Sequence, residues 1–196
     1  EEAGLGHIFA FLEPESFHMT ICDVVASSNP IQSRHADVLI RQVQAAFAQI
    51  GKPGKVTSRI RGIGLERTIT ALARFDRELE LKKVFDMEHR IKRSIEQSIG
   101  ADLTDLAEII SFRPFAGHIS LAYCVRDPGE GDVGRIKEIL LQYKNEDLGE
   151  FVFSQFDLTC FTNMNTFIPI LTINLKNGET TDVIASVAKQ SPLFNM

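Results

Sequence analysis

Disulfide frameworks and zinc ribbons are missing from this sequence. Its three cysteines, Cys22, Cys124 and Cys160, are an odd number with no CxxC pair, which suits a reducing compartment. No GxxxxGK[ST] run occurs, so the P-loop type of phosphate-cradling glycine loop is absent. HExxH, a carboxylate cluster and Cys/His ligand spacing are absent too, and no metal or cofactor is expected. No apolar run approaches the roughly 18 residues of a membrane span, and the opening EEAGLGHIFAFL lacks the basic n-region of a signal peptide. The expectation is a cytoplasmic protein with no membrane partner, acting as a monomer. Strong positive charge is lacking as well: the formal net charge is -5, which argues against coating long nucleic acid by bulk electrostatics.

What remains is an ordinary globular composition over 196 residues, 44% hydrophobic and 24% charged, enough to bury a conventional core. Charge is uneven, however. Residues 52–93 hold twelve Lys and Arg against six Asp and Glu, either a solvated helix with its neighbours or a positive rim beside an anion site.

The apolar pattern predicts an opening hairpin, HIFAFL then FHMTICDVVA around the turn EPES. A helix follows, capped by Asn29 with Pro30 at its first position. Ala36, Leu39, Ile40, Val43, Phe47 and Ile50 recur along it up to Gly51. VTSRIRGIGL and RTITALARF read as strands. Residues 77–99 read as a long helix with Leu81, Val84, Phe85, Ile91, Ile95 and Ile99 on one face. AGHISLAYCV is a strand and Val133 to Tyr143 a third helix; EFVFSQFDLTCF and TFIPILTINL are further strands, with Pro169 marking an edge or a bulge. This order resembles one plan used twice. It predicts an α+β fold of two antiparallel sheets with outer helices, in approximate halves 1–100 and 101–196.

Two of the five histidines stand in matching settings, Phe17-His18-Met19-Thr20-Ile21 and Gly117-His118-Ile119-Ser120-Leu121. Residues i and i+2 of a strand share a face, so each histidine stands beside a hydroxyl while its alternate neighbours fill a core. Two His-x-[ST] matches arise by chance on the order of one time in ten in a chain of this size; strand context and equivalent places in two similar halves lower that to about one in a hundred. SFHMTI and GHISLAY resemble the paired His-x-Thr/Ser motifs of the 2H phosphoesterase superfamily, which includes 2′–5′ RNA ligase-like proteins and cyclic phosphodiesterases. Arg113-Pro114-Phe115 resembles the Arg-x-Phe lead-in to the second motif. Gly117 stands where that lead-in commonly has Pro, and Ser120 replaces the commoner Thr. The resemblance implies a single bilobal domain of two pseudo-symmetric, intertwined lobes around a central cleft.

The chemistry is consistent with that likeness. Opening a cyclic phosphodiester needs a base for the attacking oxygen and an acid for the leaving one, on opposite sides of phosphorus. Imidazole, with an ordinary pKa near 6.5, serves in either role, and hydroxyls can donate to the non-bridging oxygens. His18, Thr20, His118 and Ser120 are therefore the catalytic candidates, with His118 favoured as the base and the imidazole nitrogens expected about 5–8 Å apart. Arg59, Arg61 and Arg113 are candidate phosphate holders, and Tyr123 a candidate platform for a base or sugar. The expected partner is a nucleotide or an RNA terminus carrying a cyclic phosphate, cleaved without metal. A noncatalytic protein holding an RNA end or a nucleotide is the alternative. Cys22 and Cys124 are expected to share strand faces with His18 and His118, too distant to act as nucleophiles. His7, His35 and His89 receive no role.

Overall fold

The computed structural model describes residues 4–24, 33–65, 68–100, 104, 107, 110, 112–113, 115–163 and 166–182. Asn29, Pro30 and Pro114 lie outside them. The chain is α+β, with two antiparallel sheets, and divides into two compact units. Each unit takes segments from both halves of the chain, so the boundary expected near residue 100 is not where the molecule divides. The cause is strand pairing, which inserts a strand from the second half between two from the first.

The first unit comprises residues 1–20, 57–77 and 116–151. Its strands are β1 (Phe9–Phe11), β2 (Val56–Leu65), β3 (Thr68–Arg74), β4 (His118–Cys124) and β5 (Asp147–Phe153), in the order β1-β4-β3-β2-β5. β2 shows how sequence becomes a two-sided sheet. Val56, Ser58 and Ile60 are buried while the alternating Arg59 and Arg61 are exposed. Ile60 stands opposite Ala73, and Ala71 opposite Ile119, so one face carries buried Ile60, Ala71 and Ile119. A core cluster of Leu5, Ile8, Phe9, Ala122 and Ile136 joins the sheet to helix α3 (Glu130–Tyr143, numbered in chain order). At the start of α3 the Asp132 carboxylate accepts the Gly129 N–H, at 3.1 Å.

Among the described residues the opening hairpin does not form. Instead β1 pairs with β4, Phe11 opposite Ala122, and further on Met19 pairs with Ile119 of that same strand. Both pieces lie along one edge of β4, and the residues between them loop out through a 3-10 turn, Pro14–Ser16, with proline at its start. EPES thus makes an excursion rather than a reversal. A proline at the first position of a helical turn, where no N–H is needed, permits this.

The second unit holds helices α1 (Ser33–Ile50) and α2 (Glu78–Ile99) and the sheet β6-β7-β8, formed by Gln155–Asn163, Thr166–Asn174 and Thr180–Asp182. The expected stripe of α1 is buried through Ala36, Leu39, Ile40, Val43 and Phe47. The helix stops at Gly51, whose φ of 76° suits glycine and whose N–H donates to the Phe47 carbonyl at 2.8 Å. α2 buries Val84, Met87, Ile91 and Ile95, but Phe85 is 46% exposed, set edge-on to Phe115 rather than in the apolar stripe. EFVFSQFDLTCF is not one strand. It breaks at Ser154 into β5 and β6, which belong to different sheets. Pro169 sits at a register shift in β7, the central strand of its sheet, so the bulge is what accommodates its missing N–H.

Candidate active site

β4 starts on His118, immediately after Gly117. Gly117 has a φ of 60° and its carbonyl accepts the Ala73 N–H at 2.8 Å, which ties the entry of β4 to β3. A proline ring holds φ near −65°, so the proline common at this place in the resembled lead-in is incompatible with the backbone here.

The pairing of Met19 with Ile119 places the four catalytic candidates. Ile119 is 3% exposed, on the core face, so His118 and Ser120 lie on the other face of β4. Antiparallel register then sets His18 opposite Ser120 and Thr20 opposite His118. The quartet is a two-by-two array on one face with a local dyad at the Met19–Ile119 bridge. Its diagonals are two histidines and two hydroxyls. Diagonal neighbours in such a pair stand about 7–8 Å apart at Cα, and direct neighbours about 4.5–5.5 Å. Thr20 is exposed and the other three are half-buried.

His18 is oriented from its own turn. Its Nδ1 lies 2.8 Å from the Ser16 carbonyl oxygen. A carbonyl only accepts, so Nδ1 carries the hydrogen and Nε2 is the nitrogen that exchanges a proton with anything on this face. The 3-10 turn that interrupts the edge strand supplies that carbonyl. The Phe17 N–H in turn donates to Pro14, at 3.1 Å.

β3 adds two residues that sequence reasoning passes over. Thr70 is opposite Ser120 and Leu72 opposite His118, so the rows on this face read His18–Ser120–Thr70 and Thr20–His118–Leu72. Thr70 Oγ1 reaches the Gly64 carbonyl at 3.5 Å, a long bond. The alternation of RTITALARF marks its two faces, but no motif says that one of them meets His118. Only the pairing partner of β3 supplies that.

The helper candidates separate. Arg59 forms an ion pair with Asp147 of β5, its Nε donating at 2.7 Å, so it braces two strands. That bond raises the Arg59 pKa and holds the Asp147 carboxyl below its ordinary value. Arg61 follows Ile60 and so faces the quartet's side. Tyr123 is opposite Thr68, which alternates with Thr70, and so stands half-buried on that same side. Arg113 belongs to the second unit, with Nε 3.9 Å from an Asp23 carboxylate oxygen.

Cys22 does not share a strand face with His18: it lies outside any strand, in the second unit. Burial pushes its thiol up to about 12 against an ordinary 9.0. The expected strand through Cys22 shrinks to the single bridge at Met19. Cys124 ends β4, exposed, its thiol donating to the Arg126 carbonyl at 3.1 Å. Elsewhere, His7 lies 3.5 Å from Asp132 and His35 is buried within α1. Among the described residues no three or more His, Cys, Asp or Glu gather as a metal site, and no helix is long and apolar enough to cross a membrane. No protein-family model matches the chain, and no curated protein matches it.

Proposed function

We propose that this chain is a metal-independent phosphoesterase that hydrolyses a 2′,3′-cyclic phosphate of RNA or a nucleotide, or a related cyclic or 2′–5′ phosphodiester. One observation carries the reading: Met19 pairs with Ile119, which by strand alternation sets the His18–Thr20 and His118–Ser120 motifs, from two distant stretches of sequence, side by side. A phosphate above the centre of that array meets an imidazole at each end of one diagonal and a hydroxyl at each end of the other. In-line displacement needs a base and an acid on opposite sides of phosphorus, which the histidine diagonal offers.

The steps balance without another group. A neutral imidazole takes a proton from water, whose oxygen forms a bond to phosphorus. The bond from phosphorus to the 2′ or 3′ oxygen breaks, and the second imidazole, protonated, delivers its proton to that leaving oxygen. The product is a phosphomonoester and a free hydroxyl, and the two histidines have exchanged protonation states. Thr20 and Ser120 donate to the non-bridging oxygens, where charge concentrates in the transition state. The hydrogen on His18 Nδ1 directs its chemistry through Nε2 in either role.

The test is turnover on a panel of 2′,3′-cyclic nucleotides and cyclic-phosphate-ended oligonucleotides, with and without EDTA. Cleavage insensitive to EDTA is expected. Tight binding without turnover by the intact protein would instead identify a protein that holds the same RNA end or nucleotide. Binding to none of the panel would remove the reading.

A further inference from the structure

Beyond the quartet, its face continues across β3 to β2. The row Thr20–His118–Leu72 meets β2 where the register shifts between Ile60 and Ile63, so that Arg61 and Gly62 together stand against Leu72. This is a bulge, a device that re-aims a side chain. Its backbone is held in place. Gly62 is buried with a φ of 84°, its N–H donates to the Glu146 carbonyl at 2.8 Å, and a Cβ there would overlap the Lys144 carbonyl oxygen.

The charges around Arg61 differ in their commitments. Arg59 is bonded to Asp147, with Asp76 and Glu150 also acting on it. Arg74 stands directly opposite Arg59. Asp147 feels Arg61 only at range, and Arg61 makes no hydrogen bond or ion pair to a described residue. Two strand spacings, roughly 10 Å, separate its backbone from that of His118. The stem of an arginine is long enough to span much of such a gap across an apolar neighbour.

We infer that Arg61 is a second anion subsite, which binds the phosphate one nucleotide before the cyclic end and so makes the preferred substrate an oligonucleotide terminus rather than a mononucleotide. The inference rests on the phosphoesterase reading of the quartet. Bidentate capture of phosphate by a rigidly based arginine is the interaction invoked.

The experiment compares uridine 2′,3′-cyclic phosphate with a dinucleotide ending in that cyclic phosphate, on wild type, Arg61→Gln and Arg61→Lys. The wild type should favour the dinucleotide in kcat/KM by about tenfold or more, and the preference should fall as salt rises. Arg61→Gln should bring the ratio near one, and Arg61→Lys should restore part of it. A purely structural arginine would lower both substrates alike and keep the ratio. A wild-type ratio near one, or a ratio that survives in Arg61→Gln, overturns the subsite alone. Failure of the wild type to cleave either substrate overturns the phosphoesterase reading and the subsite with it.

Discussion

His18 and His118 carry the same side chain in different settings. A carbonyl of the preceding turn fixes the tautomer of His18, whereas His118 stands between Thr20 and Leu72 on neighbouring strands. Replacing either with alanine should lower turnover by about 10² to 10⁴, since each loses one proton transfer. Thr20→Ala and Ser120→Ala should cost less, on the order of 10 to 10³, with all four variants folded by circular dichroism. Full activity in the histidine variants would make these residues structural. The cysteines offer a separate check. With its thiol held at about 12, Cys22 should alkylate on the order of a hundredfold or more slowly than an ordinary thiol at pH 8, and exposed Cys124 should label first. Peptide mapping after timed iodoacetamide treatment reads this directly. Equal labelling of Cys22 and Cys124 would contradict the burial described.

Among the elements, the β2 bulge makes the sharpest stability statement. Alanine at Gly62 must adopt a left-handed backbone and intrude on the Lys144 carbonyl, so Gly62→Ala should destabilise the fold by roughly 1–3 kcal/mol or more. Gly131→Ala is the control, because that helical position is open. Denaturant unfolding of both variants decides the matter; equal midpoints would mean that the bulge relaxes freely. The long helices and the β2–β3 pair were readable from periodicity, because burying one stripe or one face imposes a period on the sequence itself. The edge along β4 was not. Its two pieces are short and bounded by a turn that serves a hairpin or an excursion equally well, so local sequence could not choose between them.

For the whole molecule, pH acts in two ways. If one imidazole must be neutral and the other charged, kcat/KM should follow a bell near neutrality whose limbs belong to the coupled pair, and chelators should leave it unchanged. A profile that EDTA abolishes and added metal restores would turn the histidines into ligands and end the acid-base mechanism. Stability should respond at alkaline pH. The folded state raises the Cys22 pKa, so above about 9 the unfolded chain loses a proton that the folded one keeps, and stability declines until about pH 12. Relative to Cys22→Ala, the wild type should therefore lose stability over that window; parallel curves would refute it.

What the residues determined alone was the α+β class, the extent of most helices and strands, and the sharing of one strand face by His118 and Ser120. Those are local or periodic properties, set by burial along a single element. Tertiary structure decided which strands are neighbours. That choice put Met19 against Ile119, brought Thr70 and Leu72 beside the quartet, tied Arg59 to Asp147 and put Arg61 on the same sheet face as His118. It also assigned Arg113 and Cys22 to the other unit. Strand pairing between residues a hundred positions apart depends on the energy of closing the whole sheet, and no short stretch of sequence records that energy.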